Sequence, residues 1–212
     1  MQILHFSPFR FVFLVVFLLV SLSCTPDHPQ STFDVAGPIA KIQLDLFMII
    51  FWISVAIFIV VEAALIYAAV KFRYKPGQDL PKPVHGNKPM EIAWTIAPIL
   101  ILIVIAVLTI QAIITTSNSP DPDGINVEVI GHQWWWEFRY PDYGIVTANE
   151  LHMPVDKVIN LTLRSDDVLH SFWIPKLAGK VDVISTLPGQ TNSMWIKGDR
   201  EGTFWGLCAE FC

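Results

Sequence analysis

Three apolar stretches dominate the first half of the chain, and their lengths set them apart. The first lies within residues 1–24, where Arg10 precedes the apolar run 11–20 and Ser21, Leu22, Ser23 and Cys24 follow it. Ten helical residues rise about 15 Å, half of a hydrocarbon core of about 30 Å. A short apolar run between a cation and small residues predicts a signal peptide over 1–23. An uncleaved signal anchor is the other reading. The second stretch, 44–70, is interrupted only by Asp45, Ser54 and Glu62 and would rise about 40 Å as a helix. The third, 92–114, holds no formal charge and would rise about 35 Å. Both are long enough to span a membrane.

The polar residues between the spans orient them. Lys71, Arg73, Lys75, Lys82 and Lys88 face one acid, Asp79, so the positive-inside rule puts the loop 71–90 in the cytoplasm. Residues 24–43 and everything after the third stretch then lie outside, in agreement with the signal. Two positions inside the spans need protein neighbours. Glu62 is an acid within the membrane and marks a face toward a partner helix. Pro98 has no N–H to offer the Trp94 carbonyl, which needs another donor.

From Ser117 the pattern changes. Residues 117–124, Ser-Asn-Ser-Pro-Asp-Pro-Asp-Gly, form a turn-rich linker without an apolar residue. Short alternating runs then recur at 125–130, 133–140, 158–163, 181–187, 193–196 and 203–207, separated by Gly, Pro and Asp. A period of two, without any long helical period, predicts an all-β sandwich over 125–212. The fold expected is thus an α+β membrane protein, a two-helix hairpin at 44–116 followed by a sandwich.

Composition narrows the partners. Charged residues make up 16% of the 212, against about 25% in ordinary globular chains, while 53% are hydrophobic, which excludes a disordered protein. Lys and Arg number 14 against 19 Asp and Glu, a net charge of -5, so no basic face exists to neutralise phosphates and no nucleic acid is expected as a partner. Most of the net charge falls in the external half. That favours a cationic partner, or simply keeps the domain soluble.

Candidate chemistry gathers at the C-terminal end. Of the three cysteines, Cys24 belongs to the leader, and Cys208 and Cys212 stand four apart in Cys208-Ala-Glu-Phe-Cys212. Outside the cytoplasm such a pair is a disulfide, a pair of metal ligands or a redox couple. Soft thiolates in a β-sandwich suit copper, and a second thiolate suggests a second metal. His170, in Asp166-Asp167-Val168-Leu169-His170-Ser171-Phe172, is a possible imidazole ligand from another part of the chain. Taken singly, such a histidine is more often a surface or core residue.

Taken together, Gly131-His132-Gln133-Trp134-Trp135-Trp136, Asp167-Val168-Leu169-His170-Ser171-Phe172 and Cys208-Ala209-Glu210-Phe211-Cys212 resemble subunit II of cytochrome c oxidase, of bacterial aa3-type or related haem-copper oxidases. Met90-Glu91-Ile92-Ala93-Trp94-Thr95-Ile96-Ala97-Pro98 extends the resemblance into the hairpin. The leader is similar to a bacterial lipoprotein signal, with Cys24 as the lipidated residue. The resemblance implies a cupredoxin-like Greek-key sandwich in the external face of a bacterial plasma membrane, bearing a dinuclear copper centre (CuA) that takes electrons from cytochrome c and passes them to haem in subunit I. It implies His170, Cys208 and Cys212 as side-chain ligands and Glu210 as a backbone-carbonyl ligand, the Glu210 carboxylate approaching a magnesium or manganese ion at the border with subunit I. It also implies Trp134 as the point where electrons enter and Glu91 at the mouth of a proton pathway. Glu91 in a first helical turn also suits a helix N-terminus electrostatically. Trp134 and Trp136 would share one face of a regular strand, so one of them is expected in the core unless a bulge after Gly131 intervenes. Asp142, Asp166 and Asp167 are candidates for docking a basic cytochrome.

The family's pattern continues past the second cysteine with a further His and a Met, so the chain is expected to be C-terminally incomplete and its sandwich to lack a closing strand. His132, His152 and Met153 are not expected to replace those ligands. Two alternatives remain: a copper-free subunit of the quinol-oxidase kind with a Cys208–Cys212 disulfide, and a membrane-anchored copper-delivery or thiol-redox lipoprotein. Nitrous oxide reductase shares the copper motif but not the hairpin.

Overall fold

The structure is a computed structural model that describes residues 12–13, 15–17, 28–74, 76–77, 86–184 and 191–210. Cys24, most of the leader, much of the loop 71–90 and Cys212 lie outside the described residues.

Two long helices follow from the apolar stretches. Helix α1 is Pro38–Lys71 and α2 is Lys88–Ser117. Both are long and apolar enough to cross a membrane. Gly37 enters α1 in an extended conformation, and Pro38, with its preset φ, opens the helix. Lys71 closes it where a cation favours the negative end of the helix dipole. At the start of α2 the Asn87 side chain accepts the Met90 N–H at 3.3 Å, and at its end the Asn118 side chain donates to the Ile114 carbonyl at 2.7 Å.

α1 begins earlier than the apolar run, and the reason is tertiary. Its first turn packs against the β-domain that follows α2: Ile39 and Ala40, with Ala36 just before the helix, are buried there, and Ala36 and Ile39 belong to that domain's core. The sequence 38–43 has helical residues but no apolar continuity, so hydropathy alone starts the span too late.

The domain that follows α2 is a two-sheet sandwich. Its strands are β1 Ile125–His132, β2 Trp135–Tyr140, β3 Ile145–Ala148, β4 Ile159–Ser165, β5 His170–Trp173, β6 Val181–Val183, β7 Asn192–Ile196 and β8 Leu207–Cys208. One sheet runs β3-β2-β1-β4-β7 and the other β6-β5-β8. β1 and β4 pair in parallel, while the remaining pairs are antiparallel. A parallel neighbour requires a crossover, and here β2, β3 and the segment 149–158 lie between the two strands in sequence. Along β4, Ile159, Leu161, Leu163 and Ser165 point inward and are buried, with polar residues between them. They meet Val127, Val129, Phe138, Phe172 and Val183 in the core. The cupredoxin-like sandwich on a two-helix hairpin implied by the resemblance is the fold found.

Two strands escape the sequence pattern. β3 and β5 have four residues each, too few to show a period of two. The run 203–207 yields only Leu207–Cys208 as strand, which begins just after Gly206. The run 181–187 is strand over Val181–Val183, and its last residues lie outside the described ones.

Candidate metal centre

β5 and β8 lie side by side, and their register builds the site. Phe172 is opposite Cys208 and Trp173 opposite Leu207, and the Ala209 N–H donates to the Ser171 carbonyl at 3.0 Å. Opposed residues share a face of an antiparallel pair, and His170 shares that face with Phe172 because side chains alternate along a strand. The Cys208 sulfur therefore faces the His170 ring, 3.8 Å from Nδ1.

His170 is 1% exposed, and its other nitrogen, Nε2, lies 2.6 Å from Asp167 Oδ1. A neutral imidazole keeps its proton on the nitrogen that faces a carboxylate, which leaves the Nδ1 lone pair on the side of the sulfur. Asp167 is itself held by the Gln133 N–H at 2.6 Å and the Val168 N–H at 2.6 Å. Burial pushes the Asp167 carboxyl up, but the hydrogen bonds from His170, Gln133 and Val168 outweigh it and hold it down at about 2. Asp167 thus stays ionised and orients the ring.

The ring also needs room. A Cβ on Gly131 would sit 2.7 Å from His170 Cδ2 and 2.9 Å from Cγ, so only glycine lets β1 pass this close. Trp136, paired with Gly131 across the sheet, packs edge-on to His170 at 5.6 Å and to Phe172 at 5.2 Å. Sequence reading singled out His170 and Cys208 but not the supporting roles of Asp167, Gly131 and Trp136. The glycine beside the tryptophan run and the acid three residues before the histidine were the available signals.

The donors fit a soft metal. Bonds of about 2.0 Å to nitrogen and about 2.3 Å to sulfur span a pair of donors 3.8 Å apart. Among the described residues no group of three or more His, Cys, Asp or Glu side chains could hold a metal ion by itself. His170 and Cys208 are the two expected side-chain ligands that are described, and Cys212 lies outside. Glu210 is half-buried beside them, its carboxylate 3.8 Å from Lys180 Nζ, which also donates to the Ala209 carbonyl at 3.3 Å.

The three tryptophans have separate surroundings. Trp134 lies on the turn between β1 and β2 and is 81% exposed. Trp135 stacks on His132 at 4.4 Å, and Trp136 faces the site. Trp134 escapes the alternation because it precedes β2. His132 pairs with Glu137 at 3.1 Å and His152 with Glu150 at 3.2 Å, so neither is directed at the centre. Asp166 pairs with Arg164. Far away, Glu91 accepts the Asn87 N–H at 3.2 Å and completes the start of α2.

Comparison with known families decides the relationship. Residues 26–112 match the family model for the transmembrane domain of cytochrome c oxidase subunit II, and residues 145–212 match the model for its periplasmic domain, together well over half of the chain. The chain belongs to the cytochrome c oxidase subunit II family. Among members of this family, the cytochrome c oxidase subunit 2 of Alkalihalophilus pseudofirmus is 38% identical over 209 residues, covering 96% of this chain and 60% of its own length. The quinol oxidase subunit 2 of Bacillus spizizenii is 34% identical over 189 residues, 85% of this chain and 58% of its own. The chain thus spans about 60% of the length of these relatives. The crystal structure of the periplasmic domain of cytochrome oxidase subunit II from Bradyrhizobium japonicum is 31% identical, covers 43% of this chain and 76% of that one, and superposes with a TM-score of 0.39.

Proposed function

We propose that this subunit II accepts electrons from cytochrome c and passes them, through a dinuclear copper centre, to haem in subunit I of a haem-copper oxidase. The observation that carries the reading is the facing pair His170 Nδ1 and Cys208 Sγ, 3.8 Å apart, with the Asp167 carboxylate on the far side of the ring. His170, Cys208 and Cys212 would hold the metals by side chains and Glu210 by its carbonyl. When bound, a dinuclear copper centre would spread the transferred electron over two ions and so keep the reorganisation on each transfer small. Asp167 fixes the ring's tautomer, and Gly131 and Trp136 fix its position. Trp134 would receive the electron: its turn is joined to the site through the Gln133 N–H, the Asp167 carboxylate and the His170 ring. The Glu210 carboxylate would approach a magnesium or manganese ion at the subunit I border.

The membrane part supports a place in a complex. Both helices expose apolar side chains over most of their length, as spans that face lipid and other oxidase subunits do. A bacterial plasma membrane with the sandwich outside follows from the charge bias of the loop 71–90 and from the leader, whose Cys24 would be lipidated. Glu91 would stand at the cytoplasmic mouth of a proton pathway while also closing the α2 N-terminus.

The similarity to a quinol oxidase subunit favours one rival, a copper-free subunit fed by quinol. Electron paramagnetic resonance of the copper-loaded oxidase separates the two. An electron shared by two copper nuclei gives a hyperfine pattern that one copper cannot. That pattern, with turnover driven by reduced cytochrome c, is the expected result. No copper signal, with turnover driven only by quinol, would overturn the proposal in favour of the rival.

A further inference from the structure

The sandwich leaves α2 through the linker 118–124, and a domain on one tether swivels unless a second contact stops it. The residues just before and at the start of α1 supply that contact. Asp34 forks between two loops of the sandwich, its Oδ2 accepting from Lys176 Nζ at 2.6 Å and its Oδ1 from Arg200 at 2.7 Å. The Ala36 N–H donates to the Lys176 carbonyl at 2.7 Å, the Asp199 N–H to the Ala36 carbonyl at 2.8 Å, and the Ala40 N–H to the Leu177 carbonyl at 3.2 Å. Gly37 is wedged so closely that a Cβ would lie 2.5 Å from the Lys197 carbonyl and 2.9 Å from that of Leu177.

We propose that residues 34–40 form a latch, centred on the Asp34 fork, that holds the sandwich and its metal site at one fixed place over α1. The latch grips the segment 174–180, which continues β5 and its His170 and ends at Lys180, the residue that holds the Ala209 carbonyl beside Cys208. Both strands of the site are therefore tied to the head of the first membrane helix. Lys176 is almost buried, and Asp34 is its ion-pair partner among the described residues, so removing the carboxylate strands an ammonium in a poorly hydrated place. The consequence for electron transfer rests on the copper reading above, because the site can serve haem in another subunit only from a constant distance.

The test uses the full chain in lipid nanodiscs and in the assembled oxidase, comparing the parent with Asp34→Asn, Asp34→Glu and Gly37→Ala. Pulsed dipolar spectroscopy between non-cysteine spin labels at Phe58 in α1 and Tyr143 on the sandwich reads the geometry without any metal. The parent should give one narrow distance, Asp34→Asn and Gly37→Ala a broad one, and Asp34→Glu a return toward the parent. In the oxidase, Asp34→Asn should slow the step from copper to haem about tenfold, restored by Asp34→Glu, with the copper spectrum unchanged. A parent-like distance in Asp34→Asn would overturn the latch, and a broadened distance with a parent-like internal rate would overturn its positioning role. A parent without the dinuclear copper signal would refute the copper reading instead, while the distance measurement still judges the latch.

Discussion

Gly131 and Glu91 show how single residues serve the site by shape as much as by chemistry. At Gly131 the argument is steric. A Cβ there would lie 2.7 Å from the His170 ring and 3.2 Å from Trp136, so it would press on both. Gly131→Ala should destabilise the domain by about 1–3 kcal/mol and weaken copper binding, measured by thermal unfolding and metal titration. A variant as stable as the parent, with parent-like copper affinity, would show that the ring is held less tightly than the packing indicates. At Glu91 two roles share one carboxylate. Glu91→Gln keeps an acceptor for the Asn87 N–H but removes the ionisable group, whereas Glu91→Ala loses both. If Glu91 admits protons, both variants should slow oxidase turnover equally and leave the copper spectrum alone. Parent-like turnover in Glu91→Gln alongside a defect in Glu91→Ala would leave the helix cap as its sole role.

Among the elements, what could be read from sequence depended on length. The two spans announce themselves by long, nearly unbroken apolar runs, and the long strands β1, β2 and β4 by residues that repeat a period of two. β3 and β5 are too short for that, although β5 carries His170. The cysteine and histidine motifs named the site's donors, but their meeting depends on the β5–β8 register, which two residues of β8 could not reveal. The early start of α1 was hidden for another reason: Ile39 and Ala40, like Ala36 before them, are buried against the sandwich while Lys41 and Gln43 are exposed, so no unbroken apolar run marks that turn. The tryptophan run gives the sharpest element-scale prediction, since strand position assigns neighbouring residues opposite tasks. Trp134 precedes β2 and is 81% exposed, so Trp134→Ala should change stability by no more than about 0.5 kcal/mol while slowing reduction by cytochrome c. Trp136 packs against His170 and Phe172, so Trp136→Ala should cost up to about 3 kcal/mol. Denaturant titration and stopped-flow reduction measure the two effects. Equal destabilisation by both variants would contradict the strand assignment.

At the scale of the whole molecule, two paired acids outside the membrane-spanning helices make stability depend on pH. Asp34 joins the chain ahead of α1 to the sandwich, and hydrogen bonds from Lys176 and then Arg200 hold its carboxyl below the usual carboxylate range. Glu137 joins β1 to β2, and the Arg139 hydrogen bond, with help from His132, lowers its carboxyl despite the opposing effect of burial. In both cases the folded pKa lies below the unfolded value of about 4. The folded state therefore binds these protons less readily than the unfolded chain does. The stabilisation is fully present above the unfolded pKa and is lost as pH falls through the folded one. The melting temperature of the detergent-solubilised chain should accordingly hold steady from neutral pH to about pH 5 and fall steeply below about pH 4. A double variant, Asp34→Asn with Glu137→Gln, should melt lower at neutral pH and fall less steeply in acid, because the lost pairs have nothing left to protonate. The difference between the two melting curves isolates these acids from every other carboxylate in the chain. Parallel curves would mean that neither acid carries the linkage, and that the sandwich is held to α1 by the burial of Ala36, Ile39 and Ala40 and by the backbone hydrogen bonds of Ala36 and Ala40.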